Sequence, residues 1–190
     1  MAAAAFQGEL MLSQITVLGV VSPFPRGGAT GTVRAMTVKV WALAICSGVN
    51  LYLLGVMVIF AAVLYPQFSA VDRAAFPPFY QAFNARIGLP VVVWEFAALL
   101  TTVPLYLARP AAVPIWAVHA LMALAVVYFA ITFGWHLPSH RALAAGDNSG
   151  DALAPLLLSQ WARTGVQLCR SVLLIWLGAQ LVENSPQGIL

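Results

Sequence analysis

Hydrophobic residues along the chain fall into four long runs, which are separated by polar or proline-containing segments. The runs cover residues 40–65, 89–108, 113–135 and 156–182. A transmembrane helix needs about 20 mostly apolar residues, because each residue advances the helix by only about 1.5 Å. All four runs reach that length. The pattern therefore predicts an all-α, polytopic membrane protein with four transmembrane helices in an up-and-down bundle.

The segments between the runs predict how the helices are connected. Pro110 and Pro114 punctuate the ARPAAVP turn after the second helix, so the second and third helices should be antiparallel neighbours. The third and fourth helices are joined by a longer segment containing GDNSGD, which is a turn pattern. Asp151 in this segment is a candidate cap for the fourth helix. Pro90 is expected in the first turn of the second helix, where proline is tolerated.

The connection between the first two helices has an amphipathic pattern. Phe76, Phe79, Phe83 and Ile87 fall on one face at helical spacing. This spacing predicts a short amphipathic helix that lies in the membrane interface or packs over the bundle. An ordinary loop with aromatic anchors is the alternative interpretation.

Residues 1–39 differ from the rest of the chain. Their apolar patch is too short to span a membrane, and Glu9 stands where a signal peptide has basic residues. We expect a disordered or peripheral arm over 1–39, a transmembrane domain over 40–183 and a short polar tail over 184–190. Met36 opens MTVKVWALAI, a normal start for a protein that begins with a spanning helix. Translation from Met36 is therefore an alternative.

Composition supports a membrane protein and excludes some partners. The 190 residues are 62% hydrophobic and 8% charged, whereas a soluble domain has roughly 25% charged residues. The net charge of +3 is dispersed and forms no basic stripe for nucleic acid. Cys46 and Cys169 lie in apolar runs without a CxxC motif, and we interpret both as small buried hydrophobic residues.

Lysine and arginine in short loops predict membrane orientation. One side of the membrane receives Arg26, Arg34, Lys39 and Arg109, and the other receives Arg73, Arg86 and Arg141, with Arg163 near its edge. This small excess favours an N-terminus inside, and a start at Met36 would reverse it. We expect the protein in a bacterial cytoplasmic membrane.

The fourth helix carries a polar stripe. Arg163, Gln167 and Arg170 are spaced i, i+4 and i+7, so they share one helix face. An arginine near the bilayer centre costs at least about 2.5 kcal/mol. The stripe is therefore expected to face other helices or a water-filled cavity.

Glu95 is the acidic residue inside the predicted spans. The second and fourth helices run in the same direction, so we predict an ion pair of Glu95 with Arg163, Arg170 or both. In one interpretation the pair only fixes helix register. In the other, the second arginine meets a ligand, because one acid cannot neutralise two bases.

The remaining intramembrane polar residues have architectural interpretations first. Asn50 is expected to hydrogen-bond between helices. His119 is a candidate ligand for a haem or chlorophyll-type metal, but no second histidine lies at matching depth on another helix. His136 and His140 have the i, i+4 spacing of half a zinc site, but Pro138 lies between them and no HExxH glutamate accompanies them. We therefore expect no metal and no cofactor.

Several polar and aromatic residues should meet at one membrane side, under the amphipathic segment. They are Tyr80, Asn84, Arg86, Trp135, His136 and Arg163. This mouth is the best pocket candidate, and a histidine there can exchange protons near neutral pH.

Three stretches carry a resemblance to a known family. TFGWHLPSHRALAAGD is followed by QWARTGVQLCRSVLL, and YPQF…FNARIG follows the first helix. Over residues 40–182 the chain resembles the four-helix membrane proteins grouped as the DUF1772 or anthrone oxygenase-like family. The matching motif residues are Thr132, Pro138, His140, Leu143, Trp161, Arg163 and Thr164. The family commonly has asparagine where this chain has His140 and Trp161.

The resemblance implies a chemistry. A few fungal members of the family resemble cofactor-free oxygenases that turn anthrones into anthraquinones. Such a reaction needs a base that removes a proton and a cation that stabilises oxyanion charge. His136 or His140 is the implied base, and Arg163 is the implied cation.

Three functional classes remain from the sequence. The first is a small membrane enzyme that binds a hydrophobic aromatic or quinone-like molecule. The second is a non-catalytic accessory subunit of a larger membrane complex. The third and lowest is a small transporter, because the sequence shows no inverted repeats or broken half-helices.

Overall fold

The computed structural model describes the backbone of residues 29–107 and 109–184, and the side chains in these ranges from residue 38 onward. The chain divides into two compact units, Met1–Ala35 and Met36–Leu190. In the first unit, only residues 29–35 are described, and they are helical. The predicted arm and polar tail fall largely outside the described residues. Apart from the first residues of the first helix, all residues named below belong to the second unit.

The described chain is helical and contains no strand. Its α-helices are α1 (Ala29–Ile59), α2 (Phe76–Leu100), α3 (Thr102–Leu107), α4 (Ile115–Ile131), α5 (Leu137–Ala144) and α6 (Gly150–Glu183). Two π-helical turns, Phe60–Leu64 and Thr132–His136, and one 3₁₀ turn, Pro66–Ala70, continue these helices.

The helices join into four long segments that are long and apolar enough to cross a membrane. Segment one is Val38–Ala70, segment two is Phe76–Leu107, segment three is Ile115–Ala144 and segment four is Gly150–Glu183. The prediction of an all-α protein with four membrane-spanning helices is confirmed.

The outer surface of the bundle is apolar and much of its interior is polar. Large side chains such as Trp41, Leu107, Val126 and Val182 are each more than half exposed. Soluble proteins rarely expose large contiguous apolar surfaces, because water disfavours them. The four apolar helices fit an integral membrane helical protein.

Apolar clusters occupy the two ends of the bundle. One includes Leu43, Leu105 and Leu177, near the connection between segments two and three. The other includes Phe68, Phe76 and Leu143, near the two connections at the opposite end. The polar stripe of segment four runs through the layer between these clusters.

Segment two begins earlier than the sequence pattern predicts. Residues 76–88 are helical as expected, but they form the first half of α2 itself. No separate amphipathic helix therefore precedes the span. Pro90 lies inside α2, where it removes one backbone hydrogen bond without ending the helix. The aromatic face packs over the bundle, since Phe76 is buried and Phe83 and Ile87 are partly buried against the same cluster.

Ser149 caps segment four. Its hydroxyl accepts a hydrogen bond from the backbone N–H of Ala152, at 3.4 Å. The expected cap, Asp151, lies instead in the first turn of the helix, where its charge favours the helix dipole. Asp147 accepts the backbone N–H of Ser149 at 3.0 Å, and this bond lowers the pKa of the Asp147 carboxyl. The turn therefore loses support as the pH falls and Asp147 becomes protonated.

The turn before Ser149 is fixed to segment one. Asn148 donates its side-chain N–H groups to the carbonyl oxygens of Phe68 at 3.2 Å and Val71 at 2.8 Å. Gly146 adopts a φ of +93°, a backbone angle that residues other than glycine rarely adopt. These contacts hold two connections together at one end of the bundle.

The two π-helical turns lie directly beside residues that form the site described below. In the first, the N–H of Tyr65 donates to the carbonyl of Phe60 at 3.0 Å, five residues back. In the second, the N–H of Leu137 donates to the carbonyl of Thr132. Each turn holds one residue more than an α-helical turn, which rotates the residues that follow around the helix axis.

Candidate functional site

The polar stripe of segment four contacts all three other segments. It consists of Gln160, Arg163, Gln167 and Arg170, each at most 2% exposed. Their spacing of three, four and three residues keeps them on one face of the helix. The face is divided into an Arg163 region and a deeper Arg170 region, which differ in how the charge is compensated.

Arg163 is neutralised by Glu95. One of its terminal nitrogens, Nη2, donates to the Glu95 carboxylate and also to the Tyr128 hydroxyl at 2.6 Å. The other, Nη1, donates to Gln160 Oε1 at 3.3 Å. The guanidinium also lies 4.8 Å from the centre of the Tyr128 ring. Its Nε, like that of Arg170, has no hydrogen-bond partner among the described residues.

Arg170 is held by neutral groups. Its Nη2 donates to the carbonyl of Ala98 and to the hydroxyl of Thr102, both at 3.1 Å, and its Nη1 donates to Gln167 Oε1 at 3.3 Å. No carboxylate pairs with it among the described side chains. Seven residues of helix separate the two arginines by about 10 Å, so Glu95 pairs with Arg163 and not with both.

Asn50 links segment one to the deeper region. Gln167 donates to the carbonyl oxygen of Asn50 at 2.9 Å and to its side-chain oxygen at 3.0 Å. Asn50 in turn donates to the carbonyl of Cys46 at 2.8 Å. Cys46 is buried as expected, whereas Cys169 is exposed on the outer surface. The burial prediction for Cys169 is wrong because that face of the helix points away from the bundle.

A cavity of about 260 Å³ opens beside Arg163. Its apolar walls include Met57, Phe60, Phe83, Ile87 and Val91. Its polar lining consists of Tyr65, Asn84, Glu95, Thr132, His136, His140, Gln160 and Arg163. Such a mostly apolar pocket with a few converging polar groups is typical of small-molecule sites, and its volume lies slightly below their usual range of about 300–1,000 Å³.

The cavity is not closed to its surroundings. Val92 on segment two and Leu137 on segment three both line it, and they are 43% and 47% exposed. Both residues are apolar and belong to segments that are long and apolar enough to cross a membrane, so this part of the cavity wall lies at the apolar surface of the bundle.

Two histidines and two tyrosines meet at one wall of the cavity. The Nε2 atoms of His136 and His140 lie 3.1 Å apart, and the Tyr65 hydroxyl lies 3.4 Å from each of them. The second ring nitrogen of His136, Nδ1, lies 2.9 Å from Ser159 Oγ. That of His140 is hydrogen-bonded to the Tyr80 hydroxyl. This arrangement can exchange protons or bind a cation.

The structure brings only some of the predicted site residues to this cavity. It places Asn84, Glu95, His136, His140 and Arg163 in the lining. Three others, Asn50, Gln167 and Arg170, form the deeper hydrogen-bonded region.

The other candidates lie outside both regions. Arg86 and Trp135 are exposed and are not lining residues of the cavity. His119 is exposed on the outer surface, with its ring centre 5.6 Å from that of Tyr106.

Sequence reasoning missed four residues of the site, namely Tyr65, Tyr128, Ser159 and Gln160. Gln160 precedes Arg163 by three residues, so it extends the same polar stripe and was detectable from spacing. The two tyrosines lie in apolar runs, where an aromatic residue usually indicates packing.

The cavity therefore presents hydrogen-bond donors, the Arg163–Glu95 ion pair and the imidazole nitrogens of His136 and His140 around an apolar space. Within the described ranges, no three His, Cys, Asp or Glu side chains form a metal-binding group. No protein-family model, curated protein or solved structure matches this chain.

Proposed function

We propose that the cavity binds a small hydrophobic aromatic molecule with oxygen substituents, of the anthrone or quinone class, and that the protein is an enzyme acting on it. The observation that carries this proposal is the meeting of His136, His140 and Arg163 at the wall of one apolar cavity. An apolar ring system suits the walls, and the few polar groups orient its oxygen atoms.

We propose that the ligand enters from the lipid, past Val92 and Leu137, which line the cavity and are exposed on apolar segments. A hydrophobic aromatic molecule concentrates in the bilayer, because transfer of apolar surface out of water is favourable. It can enter the cavity without crossing an aqueous phase.

The proposed reaction is the oxidation that the family resemblance implies. A histidine removes a proton from the ring carbon of an anthrone, and Arg163 stabilises the resulting oxyanion. Dioxygen is the co-substrate that accepts the electrons and delivers one oxygen atom to the ring, and the second oxygen atom leaves as water. Gln160 and Tyr128 hold the arginine in place through their hydrogen bonds.

The test fills the cavity without touching the polar groups. Gly88 lines the cavity, and a Cβ added there meets no described atom within 4 Å. We expect Gly88→Leu to weaken anthrone binding by at least tenfold, because the added side chain takes up space that the ligand needs. A tenfold loss corresponds to about 1.4 kcal/mol. Binding is measured by native mass spectrometry and by fluorescence titration in lipid nanodiscs.

Gly178→Leu is the matched control. Gly178 also lies in a membrane segment with nothing within 4 Å of an added Cβ, but it does not line the cavity. Equal anthrone affinity in both variants and the wild type, or no binding in any of them, contradicts the proposal. Conversion to anthraquinone under air then tests the reaction itself.

An accessory subunit is the second candidate. The observation in its favour is the exposed aromatic surface, which includes Trp41, Trp116 and Trp161, each about half exposed or more. Stoichiometric copurification of one membrane protein after mild extraction, together with no anthrone binding, would favour it.

A further inference from the structure

Three side-chain atoms from two segments form a small triangle at the cavity wall. Its corners are the Nε2 atoms of His136 and His140 and the hydroxyl oxygen of Tyr65, and its sides measure 3.1, 3.4 and 3.4 Å. A point equidistant from these corners lies about 1.9 Å from each, slightly less than the roughly 2.0–2.1 Å of a metal–nitrogen bond. An ion slightly above the plane of the triangle therefore reaches all three atoms.

The orientation of the rings also fits a shared ion better than a direct hydrogen bond. Two imidazoles in a straight N–H···N bond of 3.1 Å would have centroids about 5.4 Å apart. The observed separation is 4.7 Å, with the planes at 84°. Two rings that both point Nε2 at one ion about 2.05 Å away would have centroids about 4.8 Å apart.

The hydrogen bonds behind the rings leave the Nε2 atom of His136 as an acceptor and allow the same for His140. Ser159 donates its hydroxyl hydrogen to the carbonyl of Leu156 at 2.9 Å, so it accepts from His136 Nδ1. The Tyr80 hydroxyl lies much closer to His140 Nδ1 than to the carbonyl oxygen of His140, which is 3.3 Å away, and its single hydrogen can go to either. When Tyr80 donates to the carbonyl, His140 carries its hydrogen on Nδ1, and both Nε2 atoms then carry lone pairs that a cation can accept. In that tautomer the two lone pairs, 3.1 Å apart, repel one another unless a cation lies between them.

We propose that Tyr65, His136 and His140 bind a divalent first-row transition-metal ion, with an open coordination position directed into the cavity. All three side chains line the cavity, and three protein ligands with one open position are typical of catalytic metal sites. Tyr65 loses its phenolic proton on binding, so the site gains one net positive charge. Arg163 adds little repulsion, because Glu95 neutralises it.

This inference deepens the proposed function, because it concerns the same wall of the same cavity. With a metal ion bound there, His136 and His140 would act as ligands and no longer as the base, and hydroxide held at the open coordination position would accept the proton of the ligand instead. The bound ion then supplies positive charge next to the ligand oxygen, as a Lewis acid does. Metal binding and anthrone binding are measured separately, so that either can fail alone.

The test uses the whole protein, purified with a tag that contains no histidine and freed of metal with a chelator. The chain has three histidines, so His119→Gln is the matched control for His136→Gln and His140→Gln. Cu²⁺, Co²⁺ and Zn²⁺ are titrated separately, and bound metal per chain is measured by inductively coupled plasma mass spectrometry. Anthrone affinity is measured on the metal-free protein.

We expect one metal ion per chain in the wild type and in His119→Gln. Affinity should fall at least a hundredfold in His136→Gln and His140→Gln. It should fall at least tenfold in Tyr65→Phe, since even changes outside the first coordination sphere cost 10–100-fold. With Cu²⁺, a visible phenolate-to-metal absorption band should be present in the wild type and absent from Tyr65→Phe.

Tyr65→Phe keeps the ring and therefore guards against an effect of misfolding. Equal metal affinity in Tyr65→Phe, His140→Gln and the wild type would overturn the proposal, as would absence of binding of any of the three ions to folded wild-type protein. Retained metal binding without anthrone binding would leave the metal site standing and remove the proposed function.

Discussion

At the scale of single residues, Arg163 and Arg170 show two ways of holding a buried guanidinium in a membrane protein. Arg163 has a carboxylate partner, and Arg170 has two neutral side-chain oxygens and one carbonyl oxygen. Loss of the partner of a buried charge costs about 3–5 kcal/mol, because the remaining charge stays desolvated. Glu95 should therefore be coupled energetically to Arg163 alone.

A double-mutant cycle tests this coupling. We expect Glu95→Gln and Arg163→Gln each to lower the free energy of unfolding by about 3–5 kcal/mol. The double variant should be clearly more stable than the sum of the two losses predicts, because neither charge is left unpaired. Unfolding is followed by circular dichroism during titration with sodium dodecyl sulphate in mixed micelles.

The control is a second double-mutant cycle, which combines Glu95→Gln with Arg170→Gln. Because the structure shows no direct bond between Arg170 and Glu95, the losses from Glu95→Gln and Arg170→Gln should add to within about 0.5 kcal/mol. Equal coupling in both cycles would show that the carboxylate acts on the whole stripe and not on one arginine.

At the scale of helices and turns, the connection between segments three and four depends on one backbone conformation. Gly146 has a φ of +93°, and a Cβ there would lie 3.2 Å from Cγ of Pro77. A residue with a side chain in this conformation costs about 1–2 kcal/mol before any contact is considered. The turn also carries the Asn148 bonds to segment one, so its geometry affects two connections.

We expect Gly146→Ala to lower the free energy of unfolding by about 1–2 kcal/mol. Gly178→Ala should raise it by about 0.5–1 kcal/mol, since this glycine lies inside a helix with open space at Cβ. The same detergent titration measures both variants. A stabilising effect of Gly146→Ala would show that the turn adopts another backbone conformation.

The four membrane-spanning helices could be predicted from the sequence, because apolar runs longer than about 18 residues have few structural alternatives. It also predicted the stripe of Arg163, Gln167 and Arg170, since a 3.6-residue period is visible in the sequence. It could not show the one-residue insertions at Phe60–Leu64 and Thr132–His136, because these do not interrupt an apolar run. Placing Tyr65 beside His140 required those turns and the packing of two segments.

The choice of Arg163 over Arg170 as partner of Glu95 could not be predicted either. It depends on the relative depth of segments two and four to within one helical turn, about 5.4 Å. The early start of α2 at Phe76 shows how uncertain such depths are when only hydropathy defines the ends of a helix.

At the scale of the whole molecule, the bundle has an apolar outside and a hydrogen-bonded inside. Residue 72 follows segment one and residue 151 lies at the start of segment four. Two crossings separate them, so they lie on the same side of the membrane. Residues 111 and 183 lie on the other side. All four positions are exposed.

We expect single cysteines at Asp72 and Asp151 to react together with a membrane-impermeant maleimide in sealed vesicles. Cysteines at Ala111 and Glu183 should react only from the opposite face. Cys169 is exposed and is replaced by serine in the background, whereas Cys46 is buried and stays. Labelling of Asp72→Cys and Glu183→Cys from the same face would contradict the four-crossing topology.

The π-helical turn Thr132–His136 makes the site sensitive to residue number as well as to residue type. Removing Gly134, which is exposed and has open space around it, would convert this turn into ordinary α-helix. His136 and His140 would then swing together by about 100° and move by about 1.5 Å along the axis. The helix content measured by circular dichroism should remain, while both imidazoles leave the cavity. A single-codon deletion would therefore remove both histidines from the cavity while leaving the four membrane-spanning helices in place.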